Sequence, residues 1–254
     1  MSATGCSVKL GGKAHHAGAS MQPPPPFPAL PGPGGEAKLS QAGAGAGGRG
    51  PRAMGRPLAE MAARVPAAMA GAEPGAEAFL ACAEAVVPVA GALGVALAPV
   101  RVDVGGNVER LLQRRAEDPG RFLSVFDFVR AEKAAGEHAS DSGCTKGLLW
   151  LLRAMPFLEE LIRRVFASRE ASTYDAATAA YDAVLKPYHG WVTYGVFQAA
   201  LAVLPYREHV IETLGGGEEA LAEEAAPFLE CLGPLLDRVH AFLEREGCNF
   251  PDRV

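Results

Sequence analysis

From about residue 76 onward, apolar residues recur at spacings of three and four, the period of a helix with one face turned to a core. The pattern holds in AEAFLACAEAVVPVAGALG, GRFLSVFDFVRAEKAA, TKGLLWLLRAM, FLEELIRRVFA, ATAAYDAVLKPYHGW, VTYGVFQAALAVL, REHVIETLG and EEALAEEAAPFLECLGPLLDRVHAFLEREG. Strict alternation, the mark of a half-buried strand, is almost absent. Breaks fall at EDPG, ASDSGC, SREAST and LGGGEE, where Gly, Pro, Asp and Ser stop one helix and cap the next. The segments predict about eight helices in a compact all-α domain, with no internal repeat and no heptad run. GLLWLLRAMPFLEELI is apolar nearly all round. Such a helix is buried on both sides, as in a layered bundle or one that encloses an apolar ligand. Pro156 lies inside it, removes the hydrogen bond to the Leu152 carbonyl, and predicts a kink or a fresh start there.

Residues 1–75 break the pattern. They hold 15 of the 30 Gly, 11 of the 20 Pro and one aromatic, Phe27. QPPPPFPALPGPGG and AGAGAGGRGPR read as polyproline-like and flexible coil, which cannot bury enough apolar surface to offset its chain entropy. The reading is a disordered Gly/Pro/Ala-rich extension, 1–75, ahead of one folded domain, 76–254, with a weak helical tendency at PLAEMAARVPAAMAGAE. Charge divides at the same place. The extension has seven Lys/Arg against three Asp/Glu, +4, and the remainder 17 against 26, −9. A domain at −9 is a poor electrostatic match for nucleic acid. The basic, acid-poor extension has the composition of an organelle transit peptide, but a plain low-complexity extension is the preferred reading. No apolar run of bilayer-spanning length free of charge and Pro is evident, and no secretory signal. VVPVAGALGVALAPV, with Pro88 and Pro99, suits a core helix. The five cysteines, Cys6, Cys82, Cys144, Cys231 and Cys248, are odd in number, widely spaced and without a CxxC. They suggest neither a disulfide framework nor a metal site, and favour a reducing, cytoplasmic compartment.

In APVRVDVGGNVERLLQRR, Asp103, Asn107 and Arg110 are spaced by four and three and share one helical stripe. An isolated stripe of this kind is usually a solvated face. Here Gly105 and Gly106 weaken the helix by roughly 1 kcal/mol each and would let another object approach closely. Trp150 follows Lys146 by one turn. Either it fills a core, or its ring, flanked by a cation and by hydrogen-bonding groups, forms a platform for a sugar whose hydroxyls the Asp, Asn and Arg would bind. His189 precedes Trp191 in YHGW. A lone His there is usually structural, and the Trp is either core filler or an anchor at a membrane surface. HExxH, GxSxG, a P-loop and a dinucleotide fingerprint are all missing, and no acidic pair suggests glycosidase chemistry. Cys144 and His138 fall in a loop-like stretch and make a poor nucleophile pair. The residues alone describe an all-α domain with an apolar interior and one polar recognition cluster, the profile of a carrier for an amphipathic molecule.

VDVGGNVERL, CTKGLLWLLRAM and AYDAVLKPYHGWVTYGVFQAALAVLPYRE, in this order, resemble the glycolipid transfer protein family, over roughly Glu77 to the C-terminus. The resemblance implies a two-layer, eight-helix sandwich, usually monomeric, that encloses one ceramide in an apolar pocket and holds the sugar at the surface. It implies that Asp103 bonds the ceramide amide N–H and a sugar hydroxyl, Asn107 and Arg110 bond sugar hydroxyls, and Trp150 stacks on the first sugar. His189 would bond the ceramide amide carbonyl, and Trp191 would help dock the protein on a membrane. Ceramide-1-phosphate carriers of the family put an Arg where this chain has Trp150, so Trp150 argues for a sugar, while Lys146 is a further possible headgroup contact. Arg110 stands where Lys is common, and Phe250 in NFPDRV stands in a tail that often carries a Tyr. The activity implied is glycosphingolipid transfer between membranes, with transient membrane contact, no covalent step, no cofactor and no metal. The alternatives are ceramide-1-phosphate transfer, or a sphingolipid sensor or adaptor whose PPPPFP run docks an aromatic groove of a protein partner.

Overall fold

Local capping signals set several of the helix ends. Ser124 and Asp127 form a reciprocal capping box, with Phe126 N donating to Ser124 Oγ (3.1 Å) and Ser124 N to Asp127 Oδ2 (2.8 Å). Gly136, at φ 75°, closes the helix that Ser124 opens. Ser172 caps another through Asp175 N. The computed structural model describes residues 56–214 and 217–253. Over these residues the helices are α1 Pro57–Met69, α2 Ala76–Glu84, α3 Val86–Ala92, α4 Ala98–Glu117, α5 Val125–Ala135, α6 Cys144–Ala167, α7 Thr173–Val184, α8 Trp191–Leu201, α9 Arg207–Leu214 and α10 Glu218–Arg245. Single 3₁₀ turns precede α4 and α8. Among the described residues there is no strand, only one isolated bridge between Gly75 and Ser124.

The fold is the expected two-layer all-α sandwich. α6 lies between α4 and α7, and α10 crosses it; α1 packs along α10 and against α2, and α2 reaches α4. The interior is one continuous apolar cluster that includes Phe79, Phe122, Phe128, Phe157, Phe228 and Phe242.

α6 continues through Pro156 from Cys144 to Ala167, so of the kink or fresh start expected there the fresh start does not occur. An interior proline costs about 3 kcal/mol. Here Leu151, Met155, Phe157, Leu158 and Leu161 around it are all buried, each contributing roughly 1.5–3 kcal/mol. Tertiary packing therefore outweighs the lost hydrogen bond. α1 and α10 carry internal prolines in the same way, at Pro66, Pro227 and Pro234.

The folded unit also begins before residue 76. Leu58, Met61, Val65 and Ala68, spaced by three, four and three, are buried on α1. Arg238 of α10 ties down the turn after α1 by donating to the Gly71 carbonyl (3.1 Å) and the Ala72 carbonyl. Residues 1–55, most of the stretch read as a disordered extension, with Phe27 and PPPPFP, lie outside the described residues. Among those described, no helix is long and apolar enough to cross a membrane.

Candidate functional site

The α4 stripe meets α6 at Gly147. A Cβ on Gly147 would sit 3.4 Å from Arg110 Nη1 and 3.5 Å from Asn107 Oδ1, ordinary contact distances that place the stripe directly against α6. Within the stripe, Asn107 Nδ2 donates to Asp103 Oδ1 (3.2 Å). Arg110 Nη1 donates to the carbonyls of Gly143 (3.1 Å) and Asp141 (3.4 Å). Asn107 is buried, whereas Asp103 is exposed. The protein crowded around the Asp103 carboxyl still strips enough water from it to raise its pKa above the ordinary value. The Asn107 hydrogen bond and the Arg110 charge oppose that rise. Gly105 and Gly106 have open space where a side chain would stand, leaving a notch beside Asp103 and Asn107.

The first turn of α6 is held by a carboxylate from α5. Buried Glu132 accepts from Cys144 N (2.5 Å) and Thr145 N (2.8 Å), satisfying two of the free N–H groups at that helix start. One turn later α6 carries Lys146 and Trp150. The buried Lys146 ammonium pairs with Asp252 and lies 4.3 Å from the centre of the Phe250 ring, with Asp141 Oδ1 at 3.9 Å. Burial pulls its pKa below the usual value, and the Asp141 charge acts against this. Trp150 is half-buried, and the Arg153 guanidinium stacks on it at 4.5 Å and on Tyr188 at 4.1 Å. Arg153 also donates to the carbonyls of Phe250 (2.5 Å) and Asp252 (3.2 Å).

His189 follows Tyr188 at the end of the 3₁₀ turn Lys186–Tyr188. Desolvation pushes its pKa down to about 4, so the ring is neutral near pH 7. Its Nδ1 lies 3.1 Å from the Tyr181 hydroxyl, whose own pKa burial raises to about 12. In the tautomer where the Tyr181 hydroxyl donates to Nδ1, Nε2–H is left as a donor. Next to His189 a chain of aromatic contacts leads inward, with Tyr181 stacked on Phe197 at 4.4 Å and Phe197 edge-on to Phe157 at 5.6 Å. Trp191, two residues on, is 86% exposed. It opens α8, WVTYGVFQAAL, which has no charged residue and buries only Phe197 and Leu201. Val192, Tyr194 and Val196 are exposed with it.

The structure thus gathers the seven residues singled out in the sequence into three neighbouring groups. Asp103, Asn107 and Arg110 abut α6 beside Lys146. Trp150 reaches the His189 turn through Arg153 and Tyr188. Trp191 heads the apolar surface. Among the described residues no hydrogen bond joins the α4 stripe to Trp150 or His189. Sequence reasoning missed Arg153, Tyr188 and Asp252. Arg153 had a signal, a lone cation in the apolar run GLLWLLRAM, one turn from Trp150. Asp252 had none. Surface recesses of about 510 and 250 Å³ are present among the described residues. The smaller one is lined by Leu149, Leu152, Arg153, Pro156, Tyr188 and Leu236, among others, and so adjoins the Trp150 group. Cys144 is buried, and desolvation with the nearby Glu132 charge pushes its thiol up to about 12, which leaves no thiolate for nucleophilic chemistry. Among the described residues no group of three or more His, Cys, Asp or Glu is placed to hold a metal.

Residues 75–216 match the family described as Glycolipid transfer protein (GLTP). The chain belongs to the glycolipid transfer protein family. Glycolipid transfer protein 1 of Arabidopsis thaliana is 35% identical over 171 residues, 67% of this chain and 84% of that protein. Among solved structures, one describing how FAPP2 selects simple glycosphingolipids with the GLTP fold superposes with a TM-score of 0.66 at 29% identity, over 72% of this chain and 90% of that one. Human ceramide-1-phosphate transfer protein, in complex with 12:0 ceramide-1-phosphate, superposes with a TM-score of 0.65 over 76% of this chain and 96% of that one. At 19% identity that likeness shows the shared fold alone. The family match starts after α1 and ends before α10, two helices that pack on each other.

Proposed function

We propose that this chain carries a glycosphingolipid between membranes, as a monomer in the cytoplasm and without covalent chemistry. The observation that carries the reading is the α4–α6 crossing at Gly147, which sets an acceptor, an amide and a guanidinium beside the α6 turn that bears Lys146 and Trp150. Asp103 accepts the ceramide amide N–H and a sugar hydroxyl, and Asn107 and Arg110 bind further hydroxyls. The first sugar packs on the Trp150 ring opposite Arg153. Neutral His189, with Nε2–H free to donate, takes the amide carbonyl, and the aromatic side chains beside it receive the hydrocarbon. The apolar interior between the helices takes up the hydrocarbon chains. Trp191 and the uncharged face of α8 seat the protein on the bilayer.

Carriage alone is sufficient chemistry. A lipid leaving a bilayer for water loses roughly 0.8 kcal/mol per CH₂, and a protein interior that replaces the bilayer removes that barrier. Chain burial is the same for any two-chain lipid, so headgroup choice falls to the polar residues, since each buried group left unpaired costs about 1–3 kcal/mol. The free thiols of Cys82, Cys144, Cys231 and Cys248 support a reducing compartment.

The test is transfer of fluorescent galactosylceramide from donor to acceptor vesicles by the full chain, beside matched ceramide-1-phosphate and phosphatidylcholine. Transfer of the sugar lipid in preference to the others is the expected result. Preference for the phosphate lipid would replace the reading with the phosphate carrier, and tight binding without transfer would replace it with a lipid sensor.

A further inference from the structure

The last residues of the chain do more than end it. After α10, residues 248–253 run without helix back across the start of α6. Cys248 N donates to the Leu243 carbonyl (2.7 Å), which turns the chain out of the helix. Arg153 then holds the carbonyls of Phe250 and Asp252, Phe250 lies under the Lys146 ammonium and 6.2 Å from His138, and the Asp252 carboxylate pairs with Lys146. A buried ammonium needs an anion close by. The other carboxylate near Lys146, on Asp141, is fully exposed and 3.9 Å away. Arg153 donates through Nη1 and Nη2 to the two backbone carbonyls, and among the described residues it has no carboxylate partner, so it positions the segment and does not neutralise Asp252.

We propose that Asp252 is a specificity-determining residue, an internal anion seated on Lys146 that turns phosphate-bearing headgroups away from a site otherwise rich in cations. The inference rests on the glycosphingolipid reading above. Lys146 and Arg153 lie seven residues apart on α6, and Arg110 of α4 meets that helix at Gly147, three cations able to donate to a phosphate. With Asp252 in place an incoming phosphate must expel it from Lys146 or sit beside a like charge. A neutral sugar meets neither obstacle, because its hydroxyls can donate to the Asp252 carboxylate as well as accept from the cations. One side chain from the far end of the chain thus sets which lipid class the shared fold accepts.

The experiment compares transfer of galactosylceramide and ceramide-1-phosphate, bearing the same fluorescent acyl chain, by the full-length chain and by Asp252→Asn, with Asp252→Ser as a second variant and circular dichroism to confirm folding. The rate ratio of ceramide-1-phosphate to galactosylceramide should rise at least tenfold in both variants. It should fall back when Lys146→Met is added. A ratio unchanged within twofold, an equal rise for both lipids, or a gain that survives Lys146→Met would each overturn the proposal. If the wild-type chain moves the sugar lipid and the variants leave the ratio unchanged, only this proposal fails. If the wild-type chain itself prefers ceramide-1-phosphate, the glycosphingolipid reading fails with it. Where vesicle transfer is too slow to rank, tryptophan-fluorescence titration with short-chain versions of the two lipids reads the same ratio as a ratio of Kd.

Discussion

Replacing Trp191 with Ala separates docking from cargo binding. The indole is 86% exposed and stands at the start of α8, so the folded protein gains almost nothing from it. A Trp side chain offers about 150–250 Å² of contact area. At about 25 cal/mol per Å², complete immersion of the exposed part would be worth about 3–5 kcal/mol. An indole at a bilayer surface keeps its N–H end in the headgroup layer, so about half that area counts, or about 2 kcal/mol. That corresponds to a roughly 30-fold loss in membrane partition. Val192 and Val196, exposed on the same helix, would keep some binding. Co-sedimentation with sucrose-loaded phosphatidylcholine vesicles measures partition, vesicle-to-vesicle transfer measures rate, and titration with short-chain galactosylceramide in the absence of vesicles measures cargo affinity. Partition and rate should fall together, while affinity changes less than twofold and the melting temperature holds, as expected for an exposed residue. Full transfer by Trp191→Ala would refute the docking surface. A matching loss of short-chain affinity would show instead that the indole touches the cargo.

Trp150→Ala and Asp103→Val should each abolish measurable galactosylceramide transfer and leave the helical circular dichroism unchanged; full transfer by either would place the headgroup elsewhere. Glu132→Ala strips the cap from Cys144 N and Thr145 N and should lower stability by about 1–2 kcal/mol in urea unfolding, with Glu132→Gln recovering part of it. His189 has a folded pKa of about 4, below the ordinary 6.5, so the unfolded chain binds the extra proton first. Its contribution to stability is therefore complete above pH 6.5 and is lost as pH falls toward 4. Urea midpoints should drop across that window in the wild type and more shallowly in His189→Gln, and equal slopes would contradict the assignment. Deleting residues 1–55 should leave transfer intact, whereas deleting 1–70 removes Leu58, Met61 and Val65 from the core at roughly 1.5–3 kcal/mol each and should lower the melting temperature sharply or abolish folding.

What could be read from the sequence depended on how far apart the interacting residues lie. Helix α4 and its stripe were legible because Asp103, Asn107 and Arg110 follow the 3.6-residue period, and Trp150, His189 and Trp191 stood out as polar or aromatic departures from apolar runs. α1 was half hidden. Its buried Leu58, Met61, Val65 and Ala68 have helical spacing, but Ala and Pro dilute the surrounding composition, and only contact with α10 makes that face worth burying. At Pro156 the local rule allowed a fresh helix start that the structure does not show, because it assesses a backbone bond without the packing that offsets it. The Lys146–Asp252 pair was beyond reach, since 106 residues separate the partners and neither Asp252 nor its neighbours carry a period or a motif. Local pattern therefore singled out the groups proposed to bind a sugar, while the charge proposed to choose between sugar and phosphate comes from a long-range contact. Two chains with the same D-x-x-x-N stripe and the same Trp could differ in cargo through the last few residues alone, and substitutions at Asp252 test that directly.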